Sequence, residues 1–311
     1  MTNLLTALNI VKRYDKHTAL NDVSINVPEG TVYGLLGPNG AGKTSMIRII
    51  NQITAPDSGE VTFGGEKLAP KHIEQIGYLP EERGLYKKMK VGEQALYLAQ
   101  LKGMKKAEAK QKLREWFKKF EIGAWWDKKV EELSKGMAQK VQFIVTVLHQ
   151  PRLLILDEPF SGFDPINVEL IKTELLNMCK QGTTIVLSTH NMASVEEMCN
   201  NITLINNAKA VLEGPVNELR HKYKSHIWEV QFNGDVSSFK SAVAGKYDLI
   251  NLAEDANANV ARVKIPKDSL SNDLLKTVMP AGMITGFSEI LPSMSEIFIS
   301  AVQGTNKISA Q

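Results

Sequence analysis

The sequence predicts an α/β protein: a mostly parallel sheet covered by helices on both faces, with a helical insertion, followed by a small α+β domain. Three observations predict it. Short apolar runs such as "TVYGLLG", "LLILDE" and "TTIVLSTH" alternate with helical segments, the pattern of parallel strands joined by crossover helices. Between about 85 and 150 the strand runs give way to apolar residues at helical spacing. After about Tyr223 the composition shifts again, to strands and helices in the order β-α-β-β-α-β.

In order, "ALNIVKRY" and "LNDVSINVPEG" read as strands, the second ending at the turn Pro28-Glu29-Gly30. These N-terminal strands are expected to be antiparallel. "TVYGLLG" is a short buried strand that runs into a glycine-rich loop and the helix "KTSMIRIINQI". "GEVTFGGEKLAP" is a strand and turn, and Ile76 to Leu79 a short strand stopped by Pro80. "VGEQALYLAQLKGM", "KKAEAKQKLREWFKKF" and "SKGMAQKVQFIVTVLHQ" are the helices of the insertion. From Leu153 the strand–helix–strand pattern returns through "LLILDE", "INVELIKTELLNMCKQG", "TTIVLSTH", "MASVEEMCN" and "ITLINNAKAVLEG".

Beyond it, "HIWEVQFNG", "YDLINLAED", "NVARVKIP" and "MITGFSEI" read as strands, with helices "VSSFKSAVAGK" and "SLSNDLLKTVM" between them. "PSMSEIFISAVQG" is a last helix. This order suggests a ferredoxin-like α+β domain. The expected division is 1–222, with a helical subdomain at about 85–150, and 223–311.

Composition narrows the function. Hydrophobic residues make up 43% of the 311 and charged residues 23%, an ordinary globular balance able to bury more than one core. A net charge of +3, from 37 basic and 34 acidic side chains, is too mild to argue for nucleic acid. Cys179 and Cys199 are too few for a disulfide framework or zinc cluster and read as reduced thiols of a cytosolic protein. The N-terminus does not read as a signal peptide. No stretch approaches the roughly 20 apolar residues that span a bilayer, so service to a membrane would need another chain to span it. The lysine-rich "YKKMK" and "KGMKKAEAKQKLREWFKK" read as solvated helix faces, with membrane proximity the alternative.

"GPNGAGKTS", Gly37 to Ser45, matches the phosphate loop G-x-x-x-x-G-K-[ST] between a strand and a helix. Asn39, Gly40, Ala41, Gly42, Lys43, Thr44 and Ser45 are the expected phosphate-binding residues. Glycine lets backbone N–H groups face phosphate oxygens, Lys43 adds positive charge, and the helix adds its dipole. The Thr44 hydroxyl is expected on Mg²⁺. In "LLILDEP" a buried strand delivers Asp157, a second magnesium-holding group. Glu158 follows as the carboxylate that polarises the water attacking a γ-phosphate.

"ELSKGMAQK", Glu132 to Lys140, resembles the signature of the ATP-binding cassette family, with Leu133, Ser134 and Gly136 in place. Lys135 stands where glycine is usual and Met137 where glutamine is usual. Ser134 reads as an N-cap. In this family, the resemblance implies, Ser134 and Gly136 bind the γ-phosphate of ATP held by a second chain. It also implies that Tyr14 stacks on adenine, that His190 contacts the γ-phosphate, and that "SGFDP" links the two sites of a homodimer. In "GYLPEERGLY", Glu81 occupies the place of the glutamine that binds Mg²⁺ and senses the γ-phosphate. Glu82 and Arg83 are expected to make loop contacts. Leu85, Tyr86 and Met89 are expected either to line a groove for a transmembrane permease or to form a small satellite core.

The resemblance covers about residues 3–220 and implies a P-loop NTPase cassette, ATP and Mg²⁺ as ligands, and ATP hydrolysis. "ITGFSEILPSMSEIFISAV" and "LSKGM" are similar to the bacterial sodium-export and multidrug-export ATPases. That implies an exporter subunit on the inner face of the cell membrane, working with a separate permease and without nucleic acid. A rival reading is a soluble cassette ATPase acting on ribosomes or nucleic acid. Lys43 to Ser134 is only 134 − 43 = 91 positions, with no room for a long coiled coil, and the chain has one cassette.

Overall fold

The computed structural model describes residues 2–15, 17–82, 84–254 and 258–308, with side chains as far as 303. Arg83 therefore lies outside the described residues. The chain divides into two compact units, one holding 1–216 and the chain from 301, the other 217–300.

The first unit contains two sheets. β1 (Asn3–Tyr14), β2 (His17–Pro28), β4 (Ser58–Phe63) and β5 (Glu66–Lys67) form an antiparallel sheet in the order β2-β1-β4-β5. β3 (Val32–Leu36), β6 (Ile76–Leu79), β7 (Leu153–Asp157), β8 (Thr184–Ser188), β9 (Asn201–Asn206) and β10 (Lys209–Pro215) form the second. Its order is β10-β9-β3-β8-β7-β6, parallel throughout except for the edge strand β10. Every residue of β3, β7 and β8 is buried, which is why these strands read as unbroken apolar runs rather than alternations.

Six α-helices of the described residues lie in this unit: α1 (Lys43–Ile50), α2 (Val91–Leu101), α3 (Lys106–Lys119), α4 (Lys135–Val147), α5 (Pro165–Lys180) and α6 (Met192–Met198); α7 (Val216–Lys222) begins at its boundary with the second. Met46, Ile47 and Ile50 of α1 join Leu5 and Ile25 of the antiparallel sheet and Leu35, Ile155 and Val186 of the parallel sheet in one core. That core fixes the loop between β3 and α1. The insertion has its own packing. α3 buries Ala109, Leu113 and Phe117, spaced four apart on one stripe, and turns its lysines outward. Trp116, Phe120 and Phe143 pack together, and Phe117 meets Trp126 edge-on at 5.5 Å.

α1 is shorter than its periodicity predicts. It ends at Ile50 because Gln52 takes φ +54° and Ile53 N–H closes back on Arg48 O at 2.9 Å. α4 ends at Val147, before Gln150 at φ +54° and Pro151. Cys199 falls just outside α6 in extended backbone; burial pushes its thiol up to about 12. Cys179 lies in α5, and both are free thiols.

In the second unit, β11 (Ile227–Gly234), α8 (Val236–Val243), β12 (Asp248–Ala253), β13 (Asn259–Lys264), α9 (Ser271–Val278) and β14 (Gly282–Ile290) succeed one another, before α10 (Met294–Ile308). The strands are antiparallel in the order β12-β13-β11-β14. Numbered within the domain this is 2-3-1-4, the ferredoxin-like order. Val230 and Phe232 alternate onto the covered face, where Phe232 stacks on Phe239 at 4.3 Å. Among the described residues no helix is long and apolar enough to cross a membrane.

Candidate functional site

The site starts where β3 hands over to α1. Gly37 has φ +147°, and a Cβ there would lie 2.2 Å from Ile205 O. Gly42 has φ +119°, and its Cβ would meet Ala19 O at 2.3 Å. Only glycine lets the loop lie this close to its neighbours. Gly42 is also the N-cap of α1, with no side-chain cap and no acidic residue in the first turn. The first-turn N–H groups are therefore free for an anion.

Lys43 opens the helix and is only 7% exposed. Its ammonium donates to Gly37 O at 2.7 Å and Pro38 O at 3.1 Å. Burial lowers its pKa, while the carboxylates of Glu158, Asp157 and Glu81 oppose that. The lysine is held like a drawn bolt, ready to exchange carbonyl oxygens for phosphate oxygens.

β7 places Asp157 opposite. It is 5% exposed, and Ser188 Oγ donates to its Oδ1 at 2.8 Å. Burial raises its pKa; the Ser188 hydrogen bond opposes this, and the charge of Glu81 adds to it. Glu158 follows at φ +48°, its N–H bonded to Ser188 O. This left-handed backbone turns the carboxylate toward β8's end. There Oε1 accepts from His190 N–H at 3.0 Å and faces His190 Nδ1 at 2.6 Å. Oε2 accepts from Thr189 Oγ1 at 3.2 Å.

These groups surround a cleft of about 190 Å³. Asn39, Gly40, Gly42, Lys43, Thr44 and Ser45 form one side and Glu81, Asp157 and Glu158 another. Tyr14, His17 and Ala19 form the third. Tyr14 is 41% exposed, with Lys12 Nζ 5.4 Å from its ring centre. Of the residues singled out in the sequence, Ala41 is buried beneath the loop, and His190 stands at the edge through Glu158. Sequence reasoning missed His17; its only signal was its place across the turn from Tyr14.

Ser134 and Gly136 do not line this cleft. Ser134 caps α4, accepting Met137 N–H at 3.3 Å. α4 meets the Ser161–Pro165 loop through Gln139, whose amide donates to Ser161 O and Pro159 O. Asp164 in turn caps α5. Leu85 and Met89 are half-buried and Tyr86 is exposed.

Among the described residues no three of His, Cys, Asp and Glu group to hold a metal by themselves. A hard cation that takes one or two carboxylates, with phosphate and water completing its shell, fits the exposed Thr44 hydroxyl, Asp157 and Glu81.

A glycine loop against a helix N-terminus, a buried lysine and two strand-end acids define a P-loop nucleotide-binding cassette. The family model "ABC transporter" matches residues 20–161, and the model "ATP-binding protein DrrA1-3-like, C-terminal domain" matches 214–302. The ABC transporter ATP-binding protein YhaQ of Bacillus subtilis is 38% identical, over 96% of this chain and 98% of its own. The lantibiotic transport ATP-binding protein SrtF of Streptococcus pyogenes is 32% identical, over 68% of this chain and 90% of its own. A solved ATP-binding subunit of an ABC transporter superposes with a TM-score of 0.67 at 30% identity, covering 71% of this chain and 93% of that one. The chain belongs to the ABC transporter ATP-binding proteins, which hydrolyse ATP to power transport, and carries a DrrA-like C-terminal domain.

Proposed function

We propose that this chain is the ATP-hydrolysing subunit of a bacterial exporter, acting as a head-to-tail homodimer on a separate transmembrane permease at the inner face of the cell membrane. The functional division is 1–222 for the cassette and 223–311 for the accessory domain. The observation that carries the hydrolytic part is Glu158, its carboxylate held by His190 and Thr189 beside Lys43 and Asp157.

The loop N–H groups and Lys43 bind the triphosphate, and Tyr14 offers a face for the adenine. Thr44, Asp157 and Glu81 hold Mg²⁺, which supplies charge neutralisation at the phosphate oxygens. Glu158 orients the attacking water and takes its proton. Two bonds to Oε1 and one to Oε2 keep that carboxylate from swinging away. Because His190 Nδ1 faces a carboxylate oxygen, that nitrogen carries a proton.

The dimer reading rests on the capped, acid-free N-terminus of α4, whose Ser134 is exposed and whose own chain binds phosphate elsewhere. The export reading rests on the likeness to SrtF and on the DrrA-like domain. Two experiments test it. Glu158→Gln should lower kcat by about 10²–10⁴-fold while ATP binding persists; unchanged turnover would remove Glu158 as the base. A tagged chain pulled from gently solubilised native cells should bring a multi-spanning membrane protein in near-equal amount. Ribosomal subunits or nucleic acid in its place would overturn the transporter reading.

A further inference from the structure

α3 sorts its charges by row. Residues four apart on an α-helix share one strip of its surface, so four such rows cover it. The row Ala109, Leu113 and Phe117 is buried. The next row, Lys106, Lys110, Arg114 and Lys118, is exposed and wholly cationic. The acids Glu108 and Glu115 stand on the two remaining rows. There Glu108 pairs with Lys112 at 3.1 Å, and Glu115 accepts from the Gln111 amide at 3.2 Å.

Neighbours in the cationic row are about 6 Å apart along the axis, inside a Debye length of about 10 Å, so each repels the next. Like charges at this spacing destabilise a helix. Among the described residues none of the four is joined to a carboxylate. Elsewhere the fold does supply such partners: Lys119 reaches Glu174, and Lys172 reaches Glu169 and Glu197. A face that met only water would gain from mixed signs. Four cations left together over about 18 Å instead present a continuous ridge of positive potential.

We propose that this ridge of α3 lies against the anionic headgroups of a bilayer leaflet, so that the chain touches lipid directly as well as through a permease. The inference rests on the reading above that the chain works at a membrane. ABC transporter ATP-binding proteins power transport, and transport happens at a bilayer. A cluster of basic side chains close to such a bilayer is drawn to its anionic lipids. Nucleic acid fits less well. The net charge is only +3, and the rings of α3, Trp116 and Phe117, are half-buried and buried, which leaves none for base stacking.

The test is sedimentation of the full chain with phosphatidylcholine vesicles, alone or with about 30 mol% phosphatidylglycerol. The chain should follow the anionic vesicles and not the neutral ones, and its binding should fall as salt rises. Replacing the row together, with Lys106→Gln, Lys110→Gln, Arg114→Gln and Lys118→Gln, should weaken binding about 10²-fold. Lys106→Arg, Lys110→Arg and Lys118→Arg together should bind as the parent does. Four scattered exposed lysines, changed as Lys180→Gln, Lys209→Gln, Lys246→Gln and Lys267→Gln, remove the same charge and should weaken binding far less. The glutamine row should keep its ATP turnover and melt no lower than the parent, because like-charge repulsion is gone. Equal losses from the row and the scattered set, or equal binding to neutral vesicles, would overturn the ridge. So would a parent that prefers an oligonucleotide duplex to anionic vesicles at the same salt. A chain that brings down a membrane protein but binds no anionic vesicle sinks this inference alone. Vesicle binding with no membrane protein in the pull-down sinks the permease reading and leaves the ridge standing.

Discussion

The phosphate loop and the start of α4 are both glycine-bearing helix N-termini, yet they are built differently. In the loop, Gly37 and Gly42 are pressed against the carbonyls of Ile205 and Ala19, and Lys43 is buried and tethered. At α4, Gly136 is an ordinary helical residue whose nearest neighbour to a new Cβ is Gly162 O at 3.7 Å, and Ser134 and Lys135 face solvent. The first is finished by its own chain. The second, proposed above as half of a site shared between copies, faces solvent.

Substitutions can break or sharpen that contrast. Gly42→Ala puts a Cβ into Ala19 O at a φ that side chains rarely adopt, so it should cost about 3 kcal/mol or more of stability and abolish ATP binding; thermal unfolding and nucleotide titration would show it. Gly136→Ala should do the reverse. It should leave the fold as stable, or about 0.5–1 kcal/mol more so, because alanine favours the helix. If the site is shared between copies, ATP turnover should nevertheless fall. A Gly136→Ala protein with full turnover would erase the distinction.

Ser134→Ala removes the cap of α4 and should cost about 1 kcal/mol, read from chemical denaturation. Asp157→Asn should raise the melting temperature of the nucleotide-free protein by about 2–4 °C, since burial disfavours the carboxylate. The sign follows from the raised pKa: the cost is full at neutral pH, begins to shrink as pH falls through the folded-state value, and is gone below the unfolded-state value. The gap between parent and variant should therefore close on acidification; a gap that widens would contradict the burial account.

Much of this was legible because its signals are local. β3, β7 and β8 announced themselves as apolar runs, and the phosphate loop as a spacing of glycines before Lys43. Helix ends were less legible: α1 stops at a backbone bond from Ile53 to Arg48 that no periodicity encodes. β1 starts at Asn3, four residues ahead of the alternating stretch, because pairing with β2 and β4 continues there. The element order of the C-terminal domain was readable, but the neighbours β11 and β13 are set by packing. The bond from His190 to Glu158 spans 32 positions and depends on a left-handed residue, so neither motif alone reveals it.

That left-handed Glu158 sets stability against chemistry. A non-glycine residue at φ +48° carries about 1–2 kcal/mol of backbone strain, which glycine would not feel. Glutamate and glycine codons differ by one base. A chain relieved of this strain but lacking the carboxylate proposed as the base is thus a single mutation away. Glu158→Gly should therefore raise stability while removing the proposed base, so fold and turnover pull in opposite directions at this one position.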